Sequence, residues 1–130
     1  MQVTVTTIIF GLPQGQRTAS LRLTLASPAL TVSELIAAKV RQEVTECLAR
    51  TRTGLSGEYL PPETLIMAEN LDTLIPGSVD EEVTRAHQAF VARDYMIVVD
   101  DQRLTDPTST VILRPDTRIE FIKILPLVGG

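Results

Sequence analysis

Two strand patterns at opposite ends of the chain, with a helical pattern between them, limit this sequence to few topologies. Residues 118–125 (Arg-Ile-Glu-Phe-Ile-Lys-Ile-Leu) form the more apolar of the two. Residues 2–10 are rich in Val, Thr and Ile, and Val3 and Val5 alternate with Thr4 and Thr6 as in a half-buried strand. A helix between two strands gives enough chain to bring the last strand parallel to the first. The expectation is a mixed sheet whose central strands come from the two ends of the chain. Ile119 and Phe121 keep one face of the last strand, whereas Ile122, Ile124 and Leu125 do not, which predicts a bulge or burial on both faces.

The segments between these strands fill in the order. Gly11-Leu-Pro-Gln-Gly15 followed by alternating Leu21, Leu23 and Leu25 reads as a hairpin with a loop longer than the tight two-residue type. Thr31-Val-Ser-Glu34 is a capping box, in which the Thr hydroxyl accepts from an amide of the first turn and Glu34 reaches back to the cap. Leu35, Ile36, Val40, Val44, Cys47 and Leu48 follow at helical spacing, with Glu34, Arg41 and Glu43 placed on the opposite side. Residues 50–76 are broken by Gly54, Gly57, Pro61, Pro62 and Pro76 and read as loop with one short helical or extended piece. A second box, Ser78-Val-Asp-Glu81, opens a helix that ends near Arg93 and puts Val83, Ala86, Phe90 and Val91 on one face. Residues 95–99 read as a strand, Asp100-Asp101 as a turn, and Arg114-Pro-Asp-Thr117 as a turn with proline at its first central position.

Composition narrows the function classes. The chain has 130 residues, enough for one domain, and its 12 Lys and Arg against 16 Asp and Glu leave a net charge of −4. No broad basic surface exists to neutralise a phosphate backbone, so nucleic acid is not an expected partner. The longest apolar stretches fall short of the roughly 18 residues of a membrane span, and residues 1–10 lack the basic start of a secretory signal; no membrane association and a cytoplasmic location are expected. A single cysteine, Cys47, allows neither an internal disulfide nor a cysteine-rich metal site.

The ending Leu125-Pro-Leu-Val-Gly-Gly130 is the chemically informative segment. Pro126 cannot donate to a sheet ladder and should release the chain from the fold. Five residues beyond Leu125 reach about 17 Å when extended. Such a tail can carry a carboxylate into another protein's active site, and glycine at the last two positions lets a narrow channel close on the backbone. A frayed end is the ordinary reading of small terminal residues, but such ends are commonly polar, whereas Leu127 and Val128 are apolar. A free carboxylate is a poor electrophile and needs activation. The chain has no phosphate-binding loop, so ATP would be used by a partner and no cofactor is expected on the chain itself.

Residues 95–99, Asp100-Asp-Gln-Arg-Leu104, Val111-Ile-Leu113, Asp116-Thr-Arg-Ile-Glu-Phe-Ile122 and the Leu-Pro-Leu-Val-Gly-Gly ending resemble the C-terminal half of the β-grasp, ubiquitin-like proteins, which include the prokaryotic sulfur carriers of thiamine and molybdopterin synthesis. Thr31-Val-Ser-Glu-Leu35 resembles the opening of that family's helix. The likeness spans residues 1–49 and 94–130 and is most specific at the last strand and tail. It implies an α+β fold of one β-grasp domain, residues 1–130, with an insert at about 50–93 and a flexible tail at 126–130. It also implies that the chain is a substrate and not an enzyme. An adenylating enzyme would activate Gly130, with Gly129 filling its channel and Val128, Leu127 and Pro126 contacting it. The acyl group would then pass to an amine of a target protein, with a conjugating enzyme and an isopeptidase as further partners. The alternatives are a sulfur carrier whose Gly130 becomes a thiocarboxylate for a sulfur-accepting synthase, and a non-covalent β-grasp interaction module. Two features depart from the family: the long insert, and a tail without the basic residues that precede the glycines of ubiquitin.

The remaining polar residues read as structural. Lys39 and Lys123 are the only lysines and hence the only side-chain amines for chain building. Cys47 reads as a small packed hydrophobe, His87 as a surface or boundary residue without metal partners, and Asp100 and Asp101 as turn formers. Glu81 and Glu82 complement the positive end of the second helix. None of these makes a catalytic or metal constellation.

Overall fold

A computed structural model describes residues 1–12, 15–52 and 79–124. The Pro13-Gln14 centre of the first loop, residues 53–78 with Ser78 of the second capping box, and residues 125–130 lie outside the described residues, as do the side chains of Cys47 and Leu48.

The described chain runs β1 (Gln2–Leu12), β2 (Gly15–Thr24), β3 (Ala29–Thr31), α1 (Val32–Arg52), α2 (Val79–Val91), β4 (Met96–Val99), β5 (Gln102–Leu104), β6 (Thr110–Ile112) and β7 (Ile119–Ile124). Five strands form one mixed sheet in the order β2-β1-β7-β4-β5, and β3 pairs with β6 as a separate antiparallel ribbon. β1 and β7 are parallel neighbours, with Val5 opposite Ile119, Thr7 opposite Phe121 and Phe10 opposite Ile124. The two ends of the chain do supply interior strands, and the helical crossover does make them parallel. The fold is α+β, with α1 laid across one face of the sheet and α2 packed on α1.

Alternation decides which face is buried. Val3, Val5 and Ile9 of β1, Leu21 and Leu23 of β2, Ile97 of β4, and Ile119 and Phe121 of β7 all point toward the helices and are buried. Thr7 takes the same inward phase, and its buried hydroxyl has no hydrogen-bond partner among the described residues. β7 stays in regular register with β1 and β4, so its irregular pattern reflects coverage on both faces: Ile122 is half-buried on the outward side.

The capping box at α1 forms as its spacing requires. The Thr31 amide donates to Glu34 Oε1 (2.9 Å), and the Glu34 amide donates to Thr31 Oγ1 (3.1 Å). Thr31→Ala is expected to cost about 1 kcal/mol in urea unfolding, the usual value of a lost cap. The Thr31 amide, then its hydroxyl, hold the exposed Glu34 carboxyl below its ordinary range. A depressed folded value contributes stability above the unfolded value of about 4.3 and loses it as pH falls through the folded one. Glu34→Gln should therefore flatten the acid limb of the stability curve while leaving the slope above about pH 6 unchanged.

Helix α2 ends at Val91 through a left-handed residue. Arg93 has φ 64°, its amide donates to Phe90 O (3.1 Å) and the Asp94 amide to Ala89 O (2.9 Å), the two reverse bonds of a Schellman closure. Val91 is not on the apolar face with Val83, Ala86 and Phe90: it lies eight residues past Val83, about 80° further round the helix, and is 66% exposed. Asp100 (φ 47°) and Asp101 (φ 68°) are both left-handed, the type I′ geometry that closes a two-residue hairpin between β4 and β5. Arg114-Pro-Asp-Thr117 also closes as a turn, with the Thr117 amide donating to Arg114 O (3.0 Å).

Candidate functional site

The residues that the sequence marks as functional, Pro126, Leu127, Val128, Gly129 and Gly130, lie outside the described residues, and what the structure gives is the root that precedes them in the chain. That root is the end of β7, an interior strand held on one side by β1 and on the other by β4. Its last register pair is Phe10–Ile124, and both side chains are exposed, Ile124 at 61%. On the outward face of the sheet, Ile8, Ile122 and Met96 form the next row across β1, β7 and β4, all half-buried, and Thr6, Glu120 and Val98 the row beyond. An apolar surface therefore borders the end of β7. Nothing in the strand periodicity of β1 singled out Ile8 and Phe10; the signal was that apolar residues continue in the outward phase where β1 should be polar.

Behind the same strand, the core holds a charge pair. Lys39 Nζ lies 2.9 Å from Glu43 Oε1, both side chains are 0% exposed, and Nζ stands 4.8 Å from the centroid of the Phe121 ring. Glu43 is thus not on the polar side of α1. It follows Ile36 by seven residues, close to two full turns, which returns it to the inward face. Tyr95 stacks on Phe121 at 5.8 Å between centroids and donates its hydroxyl to Ala86 O (2.7 Å). Burial, then the charges of Glu43 and Asp94, push its phenol well above the ordinary range, so it stays a donor at all ordinary pH.

These contacts settle which amines are open. Lys39 is enclosed in the core, which removes one of the two side-chain sites for chain building; Lys123 is half-buried at the end of β7. The terminal amine of Met1 donates to Leu25 O (3.1 Å).

The other polar candidates have structural partners. His87 Nε2 lies 2.9 Å from Ser33 O, joining α2 to the start of α1, and Arg41 pairs with Asp80 across the two helices (3.0 Å). Asp100 Oδ1 accepts from the Arg118 amide (2.9 Å), tying the β4–β5 turn to the entry of β7. Glu82 is buried and bonded to Arg85 (2.8 Å). Among the described residues, no group of three or more His, Cys, Asp or Glu is placed to hold a metal ion, and no helix is long and apolar enough to cross a membrane. Compared with known families, curated proteins and solved structures, the chain shows no match.

Proposed function

We propose that this chain is a β-grasp, ubiquitin-like protein modifier whose Gly130 carboxylate is adenylated by a partner enzyme and transferred to an amine of a target protein. The observation that carries the reading is the pairing of a Leu-Pro-Leu-Val-Gly-Gly ending with the strand that precedes it. In the order β2-β1-β7-β4-β5, the strand that leads into the tail is interior and runs parallel to β1, and α1 and α2 lie in sequence between the opening hairpin and β4. This order is compatible with a β-grasp domain and supports the reading in that way. The tail then needs no catalytic groups of its own chain.

The chemistry assigns the work to the partner. Attack of the Gly130 carboxylate on the α-phosphate of ATP, bound by the partner, expels pyrophosphate and leaves an acyl-adenylate. An amine then attacks the carbonyl carbon, the C–O bond to AMP breaks, the amine proton is released to solvent, and an isopeptide bond remains. In the sulfur-carrier reading, a sulfur nucleophile displaces AMP instead. An interaction module would use neither step.

Intact-mass and peptide mass spectrometry on the protein recovered from its native cell under denaturing conditions, beside a form lacking Gly130, separates the three. The expected result is adducts on other proteins, joined through Gly130 and lost with its deletion. An oxygen-to-sulfur exchange at Gly130 without adducts would move the assignment to the sulfur carrier. An unmodified chain whose activity survives the deletion would move it to the module. The same spectrum reads directly whether Gly130 carries the carboxylate.

A further inference from the structure

Helix α2 and the β4–β5 hairpin enclose a cleft of about 220 Å³ that also takes in Met96 from the sheet's outward row. Its lining includes Phe90, Val91, Tyr95, Leu104 and Pro107, with Arg93 and Arg103 beside them. Phe90 and Tyr95 are buried, Leu104 and Pro107 are half-buried, and Val91 is largely exposed, so the apolar lining runs from the interior to the rim without closing over. The cleft exists because Arg93 turns left-handed after α2 and brings the chain back into β4 through Tyr95.

Two further features say what would fill it. Both arginines are exposed, and neither makes an ion pair among the described residues. The acids nearby in sequence do not serve them: Asp106 accepts from the Thr108 amide (2.8 Å) and hydroxyl (2.7 Å), and Asp94 pairs with neither arginine. Second, β5 is the edge of the sheet. Val99 and Gln102 close a two-residue turn and are a hydrogen-bonded pair, so the next pair, Val98–Arg103, is not hydrogen-bonded across β4 and β5. The Arg103 amide and carbonyl therefore face outward, along the open edge.

The geometry points to a binding site for an extended peptide segment of a partner protein, carrying one apolar side chain flanked by carboxylates. The apolar side chain sits over Phe90 and Leu104, the carboxylates meet the two guanidinium groups, and the segment's backbone pairs with Arg103. An apolar small-molecule carboxylate would satisfy the first two features and leave the backbone edge unused, which is why a peptide is the better occupant. Nothing in this site depends on the fate of the terminal carboxylate.

The test uses the full chain, isotope-labelled, titrated with the acetylated and amidated hexapeptide Asp-Glu-Phe-Val-Glu-Asp and followed by backbone amide shifts. Saturable shifts confined to Val91, Arg103, Leu104, Thr105 and their neighbours are expected, with a Kd of about 1 mM or tighter. Arg103→Glu should weaken binding by about tenfold, Arg93→Gln by less, and a peptide with Lys in place of its acids should bind Arg103→Glu better than the native chain. A well-dispersed spectrum elsewhere in each variant shows that the fold is kept. Absence of shifts at millimolar peptide, equal binding after replacement of Phe and Val by Ser, or decanoate producing the same shifts at equal affinity would overturn the assignment. So would contacts in the free protein between the cleft and residues 53–78, since the chain would then fill the site itself.

Discussion

Lys39→Ala is expected to lower the stability of this domain by about 3–5 kcal/mol, the range for breaking one half of a buried ion pair. Its Nζ is 2.9 Å from Glu43 Oε1 inside the core, and the Phe121 ring lies 4.8 Å from the same nitrogen. Removing the ammonium takes from Glu43 the cation it was folded against, and it also leaves a gap beside Phe121. Against a typical folding free energy of about 5–15 kcal/mol, this is enough to leave a large unfolded fraction under mild stress. The pair need not be stabilising in itself, because two ions were desolvated to form it. Lys39→Met combined with Glu43→Leu should therefore recover most of the loss and can exceed the native stability. Urea unfolding of the single and double variants at pH 7 checks both statements. A loss under about 1 kcal/mol for Lys39→Ala would mean that the interior around α1 admits water.

The same pair marks where sequence reading meets its limit. Val3, Val5, Leu35, Ile36, Val40, Ile119 and Phe121 were legible as core because their periods agree with the elements that hold them. The parallel pairing of β1 and β7 was legible because a helix lies between them. Glu43 is not, because its residue type points outward while its phase points inward: it lies seven residues after Ile36, and its burial requires only that Lys39, four residues earlier, be inward too. A Lys–Glu pair at that spacing inside an apolar stripe is the signal that was available. Val91 is the opposite case, an apolar residue in the last turn of α2 that helix rotation carries off the buried face. Thr7 shows a third limit, in which the strand pattern places a hydroxyl inward and nothing in the sequence says what it meets.

The candidate site divided in the same way. The proposed chemistry rests on Leu127, Val128, Gly129 and Gly130 as sequence alone, and these residues lie outside the described ones. The surroundings of the site were not legible in the sequence, because Ile8, Phe10, Met96, Ile122 and Ile124 come from three strands whose register only the sheet defines. The cleft beside α2 was less legible still: Arg103 becomes part of it through the hydrogen-bond phase of a two-residue hairpin, and that phase depends on both Asp100 and Asp101 taking left-handed conformations.

The second large effect follows from the proposed tail chemistry. Gly129→Trp should reduce transfer of the chain to targets by about 100-fold or more, because a group held away from its reacting geometry by an ångström loses about that much. The indole would stand one residue from the carboxylate, where a channel that closes on bare backbone has no room for it. Gly129→Ala should give an intermediate loss. Residue 129 follows the end of β7 by five positions, and thermal unfolding is expected to stay within about 1 °C of the native chain. Lys39→Ala gives the opposite pattern, with stability lost and the tail intact. Quantifying adducts in the native cell for all three variants, each normalised to folded protein, separates the two causes. Undiminished transfer by Gly129→Trp would refute a closed channel at Gly129, and with it the role that the glycine pair has in this reading.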